Sequence, residues 1–190
     1  LLLDAEQLFT ALRDPRFQPL IADRGGASAR AAGRVRVKEN AMKKTLNFPI
    51  WIQAPRDTVW SVMLERATYE QWTAAFCEGS TYEGGWKQGD RIRFLSPSGD
   101  GMVSQIAESR RPEFVSIRHL GMIANGVEDT TSEQARAWTP AFENYSFAEA
   151  NGGTQLQVDV DVPPDYEKFM QETFPKALGK LKELCERRPS

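Results

Sequence analysis

The chain has 190 residues, of which 41% are hydrophobic and 26% are charged, and its net charge is −2. This composition is ordinary for a globular protein, and the chain is long enough to bury a core without disulfides or a structural metal. The weak negative charge gives no support for a nucleic-acid surface, and no run of 18 apolar residues predicts a membrane span. We therefore expect no nucleic-acid partner and no membrane insertion.

The two cysteines, Cys77 and Cys185, lie far apart and have no metal-ligand spacing. They favour a reducing compartment, so we expect a cytoplasmic protein. The chain has a single histidine, and a metal site needs several converging ligands. The sequence therefore predicts no metal site and no cofactor.

Residues 1–41 differ in composition from the rest of the chain. A small, basic stretch over residues 24–34 has no periodicity, and residues 41–44 look like a natural translation start. We interpret residues 1–41 as an extension that is flexible or not native, with a tethered arm as the alternative. Residues 42–190 would then form one domain.

Alternation of apolar and polar residues predicts a first strand over residues 45–54. Its buried face would carry Leu46, Phe48, Ile50 and Ile52. Pro49 cannot donate a backbone hydrogen bond, so either this strand lies at a sheet edge or the position of the missing N–H faces outward. Two short helices follow, one starting near Pro55 and one over residues 68–76.

From residue 80 onward the pattern changes to strands separated by glycine, proline and asparagine turns. The predicted strands cover residues 80–86, 91–95, 102–109, 114–120, 138–148 and 154–162. Residues 123–137 are polar and acidic and predict a long hairpin or a mobile flap. Because short turns join most strand pairs, the sheet should be antiparallel.

The last helix is predicted over residues 165–187, after the redirecting pair Pro163 and Pro164. Its apolar residues recur at gaps of three and four, so one face needs a partner, which the sheet supplies. Pro175 lies inside this stripe and predicts a kink or a break near Phe174. The helix would then divide into a gating piece over residues 166–173 and a longer piece that holds the sheet.

This order of elements resembles the helix-grip fold of the START-like (SRPBCC) superfamily. Four stretches, residues 52–60, 69–72, 84–92 and 174–182, are similar to motifs of the branch named after the activator of the Hsp90 ATPase. The resemblance implies an α+β fold with two short helices after the first strand. A curved antiparallel sheet of about six or seven strands would wrap around the long C-terminal helix and leave a cavity.

The resemblance also implies a class of function, because members of the superfamily hold apolar small molecules in that cavity. Our first hypothesis is a soluble, bacterial-type binding protein for an apolar or amphipathic molecule, without catalysis. The first alternative is a cyclase or aromatase-type enzyme with His119 or Tyr145 as the acid–base group. The second is an Hsp90-linked or stress-related interaction module, which we disfavour because residues 1–41 do not resemble the co-chaperone's N-terminal domain. A homodimer stays open, and the sequence does not identify the ligand.

Ten residues are candidates for lining the cavity, and none is assigned as catalytic. They are Trp72, Phe76, Trp86, Phe94, His119, Met122, Trp138, Tyr145, Met170 and Phe174. Core packing is the alternative for most of the aromatic residues. His119 shares a predicted strand face with Val115 and Ile117, so it is a candidate for a polar anchor or proton shuttle in the cavity. The interpretation that we prefer is a hydrogen-bonded or partly exposed histidine without such a role.

Overall fold

The computed structural model of the protein describes residues 43–187, which form eight strands and four α-helices. The strands are β1 (Lys44–Ile52), β2 (Thr81–Gly84), β3 (Arg91–Leu95), β4 (Gly101–Arg110), β5 (Phe114–Ala124), β6 (Val127–Asp129), β7 (Ala141–Ala150) and β8 (Gly153–Val162). The helices are α1 (Arg56–Leu64), α2 (Arg66–Thr73), α3 (Glu133–Trp138) and α4 (Glu167–Arg187), and a 3-10 turn, Pro164–Tyr166, leads into α4. The interpretation of residues 1–41 lies outside the described residues.

The strands form one antiparallel sheet in the order β1-β8-β7-β5-β4-β3-β2, and β6 pairs only with the end of β5. The predicted α+β architecture, with an antiparallel sheet, two short helices after the first strand and a long C-terminal helix, is confirmed. Eight strands form rather than six or seven, because the stretch predicted as a hairpin or flap contributes β6. β1 lies at one end of the sheet, so Pro49 occupies an edge strand, the first of the two predicted alternatives.

Alternation fixes which side of each strand is buried. In β8 the buried residues are Thr154, Leu156, Val158, Val160 and Val162, while the residues between them are half-buried. β1 buries Leu46, Phe48 and Ile52 on the same side of the sheet. Because the side-chain period of a strand is two, this register gives the sheet one apolar face that must be covered.

Two irregularities in the pairing of β4 with β5 bend this sheet. The pairing steps from Val103–Gly121 to Ser104–His119, so Leu120 has no partner on β4. A second shift lies between Ile106 and Glu108. Bulges of this kind increase the local twist and bend a strand, which curves the sheet around the helix.

The concave face of the sheet is covered by α1, α2 and α4. The ring of Phe174 on α4 stacks on Phe48 of β1 with centroids 4.6 Å apart. On α1, the ring of Trp60 meets Phe147 of β7 at 5.3 Å. These contacts form one core around the amphipathic stripe of α4. The apolar face of the sheet is therefore the partner that the stripe requires.

The predicted break at Pro175 is wrong, because α4 runs from Glu167 to Arg187 as one helix of 21 residues. Pro175 removes the amide that would donate to the carbonyl of Gln171. Both residues are exposed, so the carbonyl that loses its partner lies on the side of the helix that faces solvent. The buried stripe on the other side, including Phe174, holds the helix in one piece.

The region from residue 123 to residue 140 also differs from the prediction. Asn125 and Gly126 turn the chain between β5 and β6 with positive φ values of 51° and 75°. Trp138 was predicted to open a strand but ends α3, whose first turn is capped by the Ser132 hydroxyl. On β6, Glu128 pairs with Arg91 and Arg93, and the side-chain hydrogen bond from Arg93 lowers the pKa of its carboxyl group.

Replacing Pro175 by alanine restores an amide donor to α4. We expect Pro175→Ala to raise the free energy of unfolding by about 1–2 kcal/mol. Proline is about 3 kcal/mol less favourable than alanine inside a helix, and its restricted unfolded state offsets up to about 1 kcal/mol of this. Urea unfolding followed by circular dichroism measures the change. Lys176→Ala, at the next exposed position, is the control and should stay within about 0.5 kcal/mol of wild type. A loss of stability in Pro175→Ala would contradict the prediction.

Candidate functional site

A cavity of about 120 Å³ lies between the concave face of the sheet and the helices α2 and α4. The sheet forms its floor through Ile117, Glu143 and Tyr145, and α4 contributes Met170 and Phe174 to its roof. For comparison, an engineered apolar cavity of roughly 150 Å³ holds a benzene molecule. The space therefore suits one ring or a compact branched group.

Seven of the nineteen residues that line the cavity are aromatic, and Tyr69 of α2 packs against several rings. Its ring lies 5.5 Å from Trp72, 5.0 Å from Tyr82, 6.4 Å from Trp86 and 6.2 Å from Phe94, measured between centroids. Several of these pairs have the edge-to-face geometry that aromatic rings prefer. Rings held by one another in this way give the cavity a fixed shape.

The cavity reaches the surface on one side, which we call the mouth. We define it by five of the ten half-buried lining residues: Phe76, Cys77, Ser80, Leu95 and Met170. They come from the segment after α2, from the end of β3 and from the first half of α4. A ligand would enter here, because the lining residues Tyr69, Trp72, Ile117, Tyr145 and Phe174 are buried.

A polar cluster lies at the floor of this apolar space. Tyr145 donates its hydroxyl to Oε1 of Glu143, and Oε2 of Glu143 lies 3.7 Å from Nε2 of His119. Behind them, Nδ1 of His119 and Oγ of Ser104 share a hydrogen bond of 2.8 Å. The sheet register produces this arrangement, since Ser104 pairs with His119 and Ile117 pairs with Glu143 on neighbouring strands.

The two tyrosines beside Glu143 hold their protons strongly. Burial raises the pKa of Tyr69 and of Tyr145 well above the usual value, and the charge of Glu143 raises both further. A phenol that stays neutral can donate or accept a hydrogen bond but brings no charge. Glu143 is therefore the source of charge at the floor of the cavity.

The structure brings seven of the ten sequence candidates to the cavity. These are Trp72, Phe76, Trp86, Phe94, Tyr145, Met170 and Phe174. The other three do not line it. His119 lies behind Glu143, Trp138 lies 6.0 Å from the imidazole of His119, and Met122 is buried beside Met102. A ligand-binding role for all ten stays a prediction.

Sequence reasoning missed Glu143, which is the one carboxylate among residues 43–187 that lines the cavity. A signal was present, because Glu143 shares its alternation with Ala141, Tyr145 and Phe147, which are all buried. The predicted strand began at Trp138, which hid that signal. Residue 143 lies five positions later, so alternation counted from Trp138 puts it on the opposite face of the strand. Tyr69 was missed as well, although it falls on the apolar side of its predicted helix.

The other kinds of site find little support in residues 43–187. No group of three or more histidine, cysteine, aspartate or glutamate residues in this range could hold a metal ion. None of the helices in the described part of the chain is long and apolar enough to cross a membrane. The cavity is thus the feature on which a functional argument can rest.

Comparison with known proteins identifies the fold. A scan against protein-family models finds no match, and a search of curated proteins finds no significantly similar sequence. Solved structures do match: MLL2253 from Mesorhizobium loti has a TM-score of 0.59 at 13% identity, covering 77% of this chain and 100% of its own. The chain has the helix-grip fold. The resemblance to the START-like superfamily is therefore confirmed at the level of the fold.

Two further helix-grip structures show how far this likeness extends. The Aha1 dimer from Colwellia psychrerythraea has a TM-score of 0.59 at 14% identity, covering 76% of this chain and 97% of its own. DynU16, a protein of the dynemicin biosynthetic locus, has a TM-score of 0.57 at 15% identity over 75% of this chain. The chain spans about half of DynU16, 47% of its length. At these identities the likeness shows the fold and leaves the ligand of this chain undetermined.

Removing the hydroxyl of Ser104 should destabilise the polar cluster. Ser104 is fully buried and His119 is nearly so, so Ser104→Ala leaves Nδ1 of His119 without its partner. We expect a loss of about 1–3 kcal/mol in the free energy of unfolding, measured by urea denaturation. Ser146→Ala, on the half-buried side of β7, is the matched control and should change stability by less than about 0.5 kcal/mol. Equal effects of the two changes would argue against a structural role for the Ser104–His119 bond.

Proposed function

We propose that this chain binds a small, largely apolar molecule in the cavity between the sheet and α4. The observation that supports this is the cavity itself, which has aromatic side chains in its wall, a mouth on one side and, in the described part of the chain, a single carboxylate at its floor. Such a combination of apolar walls with few polar groups is typical of small-molecule sites.

Packing energetics support the proposal. The apolar side chains of the cavity wall face about 120 Å³ without protein atoms, so they lack contacts that a filled core would provide. A chain selected only for stability would fill this space with larger side chains, and a ligand that enters restores the missing contacts. DynU16 shares the fold and belongs to a biosynthetic locus, which is consistent with a small-molecule role for this chain.

The size of the cavity sets the affinity to expect from simple probes. A single aromatic ring buries about 200 Å², worth roughly 5 kcal/mol at 25 cal/mol per Å² before the entropy loss on binding. A dissociation constant of 1 mM corresponds to about 4 kcal/mol. Single-ring probes should therefore bind in the millimolar range, within reach of ligand-observed NMR.

Toluene and benzyl alcohol are suitable probes for this proposal, and a variant that obstructs the mouth tests whether they bind in the cavity. We expect both compounds to show saturation transfer from the wild-type protein. Met170→Trp places a larger side chain at the mouth and should weaken binding at least tenfold. Lys168→Trp introduces the same side chain at a position on α4 whose native side chain is 88% exposed, and binding should persist.

Two results would count against a ligand in the cavity. One is the absence of saturation transfer from wild type for every single-ring probe. The other is binding that survives in a folded Met170→Trp variant, which would place the probe elsewhere on the surface. If Met170→Trp fails to fold, labelling of Cys77 with a bulky maleimide obstructs the same mouth, because Cys77 is half-buried there while Cys185 is buried.

A cyclase or aromatase-type enzyme is the second candidate, and the position of Glu143 is the observation that favours it. Aldol cyclisation begins when a base takes a proton from the carbon next to a carbonyl. Glu143 lies at the cavity floor with His119 3.7 Å behind it, and neutral Tyr69 could donate a hydrogen bond to the carbonyl oxygen. In this second candidate we assign the base to the carboxylate of Glu143 rather than to His119 or Tyr145.

Deuterium exchange into 2-indanone tests this second candidate without knowledge of the natural substrate. If Glu143 acts as a base, the protein should accelerate exchange of the α-hydrogens in D₂O, followed by NMR. Glu143→Gln should then slow the exchange about a hundredfold, the lower end of what general base catalysis contributes. Glu149→Gln, an exposed glutamate on the same strand, is the control and should exchange as wild type does. Exchange no faster than in buffer would remove the enzymatic candidate.

A further inference from the structure

We propose that the cavity selects an organic cation, an amine carried by a single ring or compact group, over neutral and anionic molecules of the same shape. This inference rests on the proposed binding function and adds the charge of the ligand. It follows from the charged groups, the unused hydrogen-bonding capacity and the ring faces that meet in the cavity.

The charges at the cavity are of one sign. Among the described residues that line it, Glu143 is the only carboxylate, and none is a lysine or an arginine. Tyr69 and Tyr145 stay neutral because burial raises the pKa of both hydroxyls. An anion entering this space would meet Glu143 at short range, where the low dielectric of the core strengthens the repulsion.

Glu143 has an oxygen that can accept a further hydrogen bond. Its Oε1 takes the hydroxyl of Tyr145, while Oε2 makes no hydrogen bond among the described residues. The 3.7 Å from Oε2 to Nε2 of His119 is longer than a hydrogen bond. Burying a carboxylate without full pairing is unfavourable, so a ligand that donates from a positive group gains more than one that donates from a neutral hydroxyl.

The aromatic walls favour the same sign of charge. The face of an aromatic ring attracts a cation, and cages of such rings are the usual recognition site for organic ammonium groups. Tyr69, Trp72, Trp86 and Phe94 surround the space above Glu143. The indole Nε1 of Trp86 makes no hydrogen bond among the described residues, but it is buried, so an anion would reach it only if the ring moved.

The dimensions limit the cation to a small one. With about 120 Å³ available, the ammonium group would lie near Oε2 of Glu143 and the ring would lie between the aromatic walls, toward the mouth. A fatty acid is disfavoured twice, because its chain exceeds the cavity and its carboxylate is repelled. The ligand class that remains is a primary or substituted amine attached to one ring.

Three probes that share a phenyl ring separate charge from shape: benzylammonium, benzyl alcohol and benzoate. We expect NMR titration to show that the wild-type protein binds benzylammonium at least tenfold more tightly than benzyl alcohol. Benzoate should show no measurable binding. Glu143→Gln keeps an acceptor for Tyr145 and removes the charge. It should weaken benzylammonium at least tenfold and change benzyl alcohol less than about twofold. Glu149→Gln makes the same charge change at an exposed site on β7 and should leave all three affinities unaltered.

The outcomes distinguish this inference from the proposed function. Equal binding of benzylammonium and benzyl alcohol, or equal weakening of both by Glu143→Gln, overturns the cation selectivity and leaves apolar binding intact. If toluene, benzyl alcohol and benzylammonium all fail to bind, the proposed function fails first. Should Glu143→Gln not fold, Glu143→Asp moves the charge back by one methylene. It should weaken benzylammonium more than benzyl alcohol, and an equal effect on the two overturns the inference.

Discussion

The stacking of Phe174 on Phe48 is the contact on which the rest of the site depends. Phe174 also meets the ring of Phe76 edge-on, with centroids 4.9 Å apart. One side chain of α4 therefore joins the edge strand β1 to the segment that follows α2. Because three rings of fixed size meet there, they set the separation between α4 and the sheet. Met170, one turn earlier on α4, therefore lies at the mouth rather than in the core.

The sheet gives the cavity floor a rigidity that a loop would not. Tyr145 and Phe147 must face the core, and the period of two then forces Glu143 to the same side. Turning this carboxylate outward would require moving the whole strand, which pairs with β5 on one side and β8 on the other. A group held in this way has a fixed direction before any ligand arrives, and preorganisation of that kind favours selective binding.

Much of the architecture could be predicted because it depends on local pattern. The alternation of β8 and the stripe of α4 each require a partner, and the order of elements leaves few ways to provide one. Met122 pairs with Met102, which lines the cavity, yet does not line it itself, because alternation indicates the face of a residue and not how far a cavity extends along the strand. Pro175 misled for a related reason: local propensity indicates a break, but burial of the opposite side of α4 outweighs it. Predicting that Glu143 faces the cavity required the correct start of β7, and strand boundaries are the weakest part of a pattern-based prediction.

Glu143 is difficult to explain by stability alone. A leucine at this position would fill part of the cavity and would bring no charge into the core, and replacing buried ionic groups by apolar ones is often neutral or stabilising. Tyr145 and His119 compensate the carboxylate only in part, since one of its oxygens makes no hydrogen bond among residues 43–187. Departures from the rules of a well-packed core concentrate where a protein uses them. A carboxylate that is fixed by the sheet, surrounded by rings and incompletely paired therefore fits a binding site better than a structural role.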